Sequence, residues 1–289
     1  MPTFAGASAG LLFAFALGLA VGSFLNVVIH RLPRGESIVR PRSRCPSCLT
    51  PIAPWHNVPL LSYLWLRGRC HDCSARISPR YPAIEALSGL SFAALFAVYG
   101  LAPVTLLWWA FAAALIVAAC VDFDEGFIPD EVSLGGLALG LALLPLLQAR
   151  GGADYGWALT ESAFGAVLGA GSLWIVGFAH ARVSVALGRT FPHWPGEGQA
   201  PPRPASLDYW LWFPGLGLGD VKLLGMVGAF LGPIGAVQTI LLASLLGLPL
   251  GLALARGARR LATPFGFGPA IAAAALLVAI LTRGTAWPF

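Results

Sequence analysis

Charge is what this sequence lacks. Only 11% of its 289 residues are Asp, Glu, Lys or Arg, against roughly 25% in a soluble globular domain, which excludes an ordinary soluble fold. A mean hydropathy of +0.76 and a hydrophobic content of 57% point to an integral membrane protein. Several enzyme signatures are missing as well. There is no H-E-x-x-H, no Walker sequence and no Ser/His/Asp arrangement, and no G-x-G-x-x-G in a βαβ setting to suggest an ordinary nucleotide-binding fold.

What is there comes in apolar runs. Stretches of roughly 20 apolar residues, the length of one crossing, lie at about 8–29, 83–100, 103–121, 131–148, 161–181, 220–232, 234–255 and 269–285. The expectation is therefore an all-α polytopic membrane protein with about eight transmembrane helices. The first run has no Lys or Arg before it and no small-x-small sequence after it, so it reads as a retained span and not a signal peptide. The run at 220–232 is short and Gly-rich, a pattern tolerated where a helix is buried in protein or lines a cavity.

Basic residues give the orientation. With residues 30–82 cytoplasmic, sixteen of the 18 Lys and Arg fall on that face and only Arg150 and Arg283 fall outside, which is the positive-inside pattern with an external N-terminus. The net charge of +5 then reflects topology and contact with anionic membrane lipid, and nucleic acid is not expected as a partner. The chain divides into a first span (1–29), a cytoplasmic segment (30–82) and a helical bundle (83–289).

The cytoplasmic segment is too short to bury a core of its own, and four of the five cysteines lie in it. Cys45-Pro-Ser-Cys48 and Cys70-His-Asp-Cys73 are two C-x-x-C pairs separated by 21 residues, a spacing suited to one tetrahedral zinc. Disulfide pairing, a redox pair and inert thiols are the alternatives, and a reducing cytoplasm disfavours the first. Four sulfurs leave no open coordination position, so such a zinc is structural. His71, inside the second pair, reads as a surface neighbour, and Cys120 as core packing.

Two carboxylates stand at the edges of apolar runs, where charge is expensive: Asp122 in VDFDEGFIPD, and Asp220 at the end of Gly217-x-Gly219-Asp220. Gly126 and Pro129 break the helix after Asp122. Asp130 precedes an apolar run and can cap its helix, while Asp124 and Glu125 can be solvated. Topology brings Asp122 and Asp220 to one membrane face. Two carboxylates a few ångströms apart do not both ionise easily, giving an acid and a base suited to peptide hydrolysis. Helix capping by Asp220 and a proton-coupled transporter using the same two acids are the competing readings.

The segments GSFLNVVIHRLPRGES, PWHNVPLLSYLWLRGRC and ISPRYPAIE, the two C-x-x-C pairs, D-x-D-x-x-x-I-P-D and GLGLGDVKLLG follow one another in this order. In that order and position they resemble the bacterial prepilin peptidases, the type IV leader peptidase family, over roughly residues 20–270. The resemblance implies a membrane aspartic protease of the G-x-G-D type in the bacterial inner membrane. Its substrates would be type IV prepilins or pseudopilins, cleaved at their basic leader at the cytoplasmic face. Asp122, six residues before the Ile128-Pro129 pair, matches the first catalytic aspartate and Asp220 the second, with Asp124, Gly217, Gly219 and Lys222 as supporting residues. Many members also methylate the new N-terminus with S-adenosylmethionine; for that, Glu85 and the cytoplasmic segment are the places to look, the other reading of Glu85 being an acid favoured by a helix N-terminus. The turn TPFGFGPA at 263–270 is similar to a Pro-Phe-Gly-Pro turn of the family. An extra Gly-Phe intervenes, so the resemblance carries no substrate-contact role to Pro264, Gly268 or Pro269. The Pro-rich insertion GRTFPHWPGEGQAPPRPASLDYW is expected to be a flexible loop.

Overall fold

The computed structural model describes residues 4–189, 191, 194, 200–214, 216–258 and 266–282, with backbone alone at 4–7 and 249–258. Among these the chain is helical, with isolated bridges and no strand. The helices are α1 (Phe4–Arg31), α2 (Leu61–Trp65), α3 (Arg80–Tyr99), α4 (Pro103–Glu125), α5 (Asp130–Ala142), α6 (Leu144–Arg150), α7 (Tyr155–Ala186), α8 (Leu207–Leu211), α9 (Leu218–Ala258) and α10 (Gly268–Leu281). Among the described residues, six stretches are long and apolar enough to cross a membrane: Ser8–Arg34, Arg80–Tyr99, Pro103–Glu125, Asp130–Arg150, Tyr155–Ala186 and Leu218–Leu248, followed by the shorter Gly268–Leu281. The sequence suggested about eight. The expected sixth and seventh runs are the consecutive arms of α9, parted at Gly232, and the 14 residues of α10 fall short of a full crossing. Arg259, Arg260, Pro264 and Arg283 lie outside the described residues.

The chain forms two compact units, residues 1–121 and 122–289. In the first, α1 and α3 approach until their backbones nearly touch. A Cβ at Gly18 would lie 2.7 Å from Gly89 Cα, and one at Gly22 2.7 Å from Glu85 Cα. This is the small-xxx-small contact that lets membrane helices gain dispersion energy without a hydrophobic drive. Asn26 Nδ2 donates to Tyr81 O at 3.2 Å across the same contact. Trp109 of α4 stacks on Phe92 at 5.1 Å and donates from Nε1 to Phe92 O at 3.0 Å.

In the second unit α7 and α9 cross at glycines. A Cβ at Gly228 would lie 2.0 Å from Gly165 O, and one at Gly169 2.4 Å from Leu224 O. Beside this crossing the buried Ser162 donates to Ala229 O at 2.8 Å.

The second unit also contains a reversal. A straight helix of α9's 41 residues would put its ends about 60 Å apart at 1.5 Å per residue. Yet Asp220, near its start, interacts with Asp122, and Gly268, just beyond its end, bonds to the same Asp122. The helix therefore doubles back. The turn is at Gly232, where φ 67° and ψ −177° suit glycine alone and Pro233 follows. The first arm, about 14 residues or about 21 Å long, is too short for the roughly 30 Å hydrocarbon core, as its Gly-rich sequence foretold.

Parts of the Pro-rich insertion pack in the residues described. Trp194 is buried, donating from Nε1 to Trp212 O at 3.1 Å. Trp210 stacks on Phe178 of α7 at 5.2 Å, and Arg182 sits 3.8 Å over Tyr209. Rings and indole N–H groups hold these residues in place.

Candidate active site and metal centre

Asp122 and Asp124 sit two residues apart on α4. A helix turns 100° per residue, so the pair points to opposite sides. Asp122 is buried, 6% exposed, while Asp124 and Glu125 are exposed. The helix ends at once, with Gly126 at φ 73° donating its N–H to Asp122 O at 3.0 Å. Ile128 and Pro129 are buried beyond it. Pro129, not Asp130, holds the cap position of α5, and no side chain caps it.

Asp220 lies in the first turn of α9 and is 7% exposed, its N–H donating to Gly217 O at 3.1 Å. A helix N-terminus favours an anion there. Its Oδ1 is buried without a hydrogen-bond partner, and its carboxylate interacts electrostatically with that of Asp122. Gly219 has a steric role, since a Cβ there would lie 3.2 Å from Ile128 Cβ. At Gly217 an added Cβ would come no closer than 3.8 Å to anything, an ordinary contact. Lys222 pairs its Nζ with Asp130 Oδ1, tying the start of α9 to the start of α5. The two aspartates thus come together, and Asp124, expected as a supporting residue, faces away.

Residues that the sequence undervalued complete the site. Gly268 donates its N–H to Asp122 Oδ2 at 3.0 Å. A Cβ at Gly266 would lie 2.1 Å from Asp122 Oδ2, and one at Gly268 2.7 Å from it. The glycines of Phe-Gly-Phe-Gly are therefore required by close approach to a carboxylate. The pattern was visible before α10, but its partner 146 residues away was not.

Glu85 is buried, and its Oε2 accepts the Leu60 N–H at 2.8 Å. It lies beyond the first turn of α3, which holds no acid, so a bond to a distant loop holds it and not the helix dipole.

The cysteine pairs fold alike. Cys45 N–H donates to Thr50 O at 3.0 Å and Leu49 N–H returns to Cys45 O at 2.9 Å; Cys70 N–H donates to Ala75 O at 2.8 Å and Ser74 N–H returns to Cys70 O at 3.0 Å. Leu49 and Ser74, each following a second cysteine, have φ 61° and 57°. The four sulfurs lie within 4.8 Å of one another, and the cluster can hold a metal ion. Cys45 and Cys73 sulfurs are 3.8 Å apart, which equals the edge of about 3.8 Å of a tetrahedron with Zn–S bonds near 2.3 Å. The Cys45 thiol is lowered to about 6, first by the Cys48 backbone N–H and next by that of Ser47. The Ala75 N–H also lowers Cys73, yet burial and the other three sulfurs push it up to about 12. Four sulfurs this close cannot all ionise unless a cation stands among them. His71 is exposed and stacks on His56 at 4.3 Å, away from the ligand set.

The fold and site define a multi-pass α-helical membrane protein with two buried aspartates at facing helix ends and a four-cysteine cluster able to hold a metal ion. Family models match in both regions: the bacterial peptidase A24 N-terminal domain over residues 16–99 and the type IV leader peptidase family over residues 109–252. The chain belongs to the type IV leader peptidase family. It is 34% identical to a prepilin leader peptidase/N-methyltransferase of Burkholderia pseudomallei (strain 1026b), over 91% of this chain and 82% of that protein. Proteins of the same description from Neisseria gonorrhoeae and Dickeya chrysanthemi are 33% and 35% identical, covering 89% and 96% of this chain and 86% and 94% of their own. No solved structure matches. The proton-coupled transporter finds no support among these relatives.

Proposed function

We propose that this protein is an aspartic endopeptidase that removes the basic leader of type IV prepilins or pseudopilins at the cytoplasmic face of the inner membrane, and then methylates the new N-terminus with S-adenosylmethionine. The observation that carries the peptidase reading is the pair of buried, interacting carboxylates of Asp122 and Asp220 in a member of a peptidase family. One carboxylate, protonated, polarises the scissile carbonyl; the other takes a proton from the attacking water. The proton then passes to the leaving amine. The Gly268 N–H holds Asp122 Oδ2 and so fixes which oxygen faces the substrate. Gly217 and Gly219 let the entry to α9 run without side chains, and Lys222 braces that entry through Asp130.

Sixteen basic residues on one side support a cytoplasmic active face and an external N-terminus. The division follows: a first span at 1–29, a cytoplasmic module at 30–82 and the protease bundle at 83–289. Zinc is the metal that four thiolates at this spacing suit best, with Cys45, Cys48, Cys70 and Cys73 as its ligands and a structural role. The methyltransferase reading rests on the names of the relatives; Glu85 and its loop are its candidate residues.

The test is to incubate the purified protein in lipid with a prepilin and S-adenosylmethionine and to read the product by mass spectrometry. The expected product lacks the leader and carries one added methyl group. Uncut substrate across several pH values and lipids would overturn the peptidase reading, and a cut but unmethylated product would overturn the second activity alone.

Gly266→Ala checks the site's geometry. Its Cβ would overlap the Asp122 carboxylate at 2.1 Å, and misplacing a reacting group by about 1 Å lowers rates by about 100-fold. Gly171→Ala, whose Cβ meets nothing within 4 Å, is expected to cleave at the parent rate in the same assay.

A further inference from the structure

Residues 54–66 read PWHNVPLLSYLWL, and their largest side chains are not buried. Leu61, Leu64 and Trp65 are spaced i, i+3, i+4 and so share one face of α2. Leu64 is 70% and Trp65 87% exposed, and Trp55 lies open nearby. This is no slack loop. Ser62 Oγ accepts the Val58 N–H at 2.9 Å and donates to Trp55 O at 3.1 Å, and Gly68 N–H donates to Tyr63 O at 2.8 Å. Leu60 is held at φ 57°, a left-handed backbone that a leucine adopts only under constraint. The constraint is the bond from its N–H to Glu85. An ordered turn that presents leucines and tryptophans outward is built to meet an apolar phase.

The tether fixes which phase that is. Glu85 is the sixth residue of α3, one of the membrane-crossing stretches, and so lies about 7 Å along the span from Arg80. Interfacial helices seat about 5–10 Å into the headgroup and acyl boundary, and the Leu60 amide is held at that depth. Tryptophan favours this layer. Arg67, Arg69 and Arg76 are exposed in the same segment, where headgroup phosphates can take them.

We propose that residues 55–65 are an interfacial anchor that seats the four-cysteine module on the phospholipid bilayer, with Glu85 as the positioning residue that sets its depth. The anchor does not depend on the peptidase reading. It explains why a carboxylate is buried in a span and why two tryptophans and two leucines beside a metal module face outward.

Full-length protein in lipid nanodiscs, with or without acyl-chain bromine as a tryptophan quencher, tests this. The probe is the emission difference between the parent and Trp65→Phe, which isolates Trp65. Bromolipid is expected to remove most of that difference, and acrylamide, confined to water, to leave it intact. The reverse pattern, or a difference that only an added prepilin changes, would overturn the anchor in favour of a water-facing or substrate-binding surface. Glu85→Ala is expected to transfer the Trp65 signal from bromolipid to acrylamide quenching, and Glu85→Gln, which keeps an amide oxygen acceptor, to restore it. Unchanged quenching in Glu85→Ala would overturn the tether; should that variant fail to fold, the Trp65 comparison still decides the anchor.

Discussion

Asp122→Asn and Asp220→Asn should each cut leader removal by about 10²-fold to 10⁴-fold, the contribution of a positioned general acid or base. Asparagine keeps the shape of both side chains but can neither take a proton from water nor hand one to a carbonyl. The stability change should run the other way at Asp220. Its Oδ1 is buried with no hydrogen-bond partner, and a charge kept in that state costs free energy, so the Tm of Asp220→Asn should equal or exceed the parent's. If Asp220 were only a structural contact, the same variant would lower Tm and spare cleavage. Asp124→Asn separates the D-x-D pair. Asp124 is exposed and faces away from Asp122, so its loss should leave the rate within about tenfold of the parent, measured as initial rates of leader cleavage on one prepilin.

Much of this site was legible because its residues carry local signals. Asp122 stood at the end of an apolar run with a helix-breaking glycine four residues on, and Asp220 followed two glycines at the start of another. The four cysteines announced their grouping by spacing alone, and the structure brings their sulfurs together. The family's motif order, and not topology, singled out Asp122 from its acidic neighbours, and Asp122 is buried while Asp124 and Glu125 are exposed.

What stayed hidden depends on contacts between distant positions. Nothing local tells Gly266 and Gly268 that a carboxylate will stand over them, nor Glu85 that it will accept an amide from Leu60. The break at Gly232 was legible, since the 220–232 and 234–255 runs part there, but a Gly-Pro step inside continuous apolar sequence reads equally as a reversal or as a bend in one span. Only the meeting of Asp220, near the start of α9, and Gly268, the first residue of α10, with Asp122 distinguishes them. The packing of the insertion before α9 was not visible in its composition. Its prolines suggested a flexible loop, while the tryptophans that anchor it counted for little until α7 supplied rings to stack on.

Removing the metal should have the largest effect on stability. Structural zinc contributes an apparent 10–16 kcal/mol to peptides of comparable size, more than a segment of this length gains from its own core. Chelation, or Cys45→Ser together with Cys73→Ser, should therefore unfold residues 44–76, seen as loss of amide-exchange protection at Leu49, Ile52 and Ser74, whose N–H groups are bonded in the folded module. The helices of the bundle should keep their protection, because their hydrogen bonds lie within each helix and the bilayer offers no water to replace them. Elemental analysis should find one zinc per chain in the parent and none in the double variant. Because four thiolates leave no open position for substrate, cleavage should fall less than in Asp122→Asn. Loss as complete as in the aspartate variants, with residues 44–76 still protected, would place chemistry at the metal and overturn its structural role.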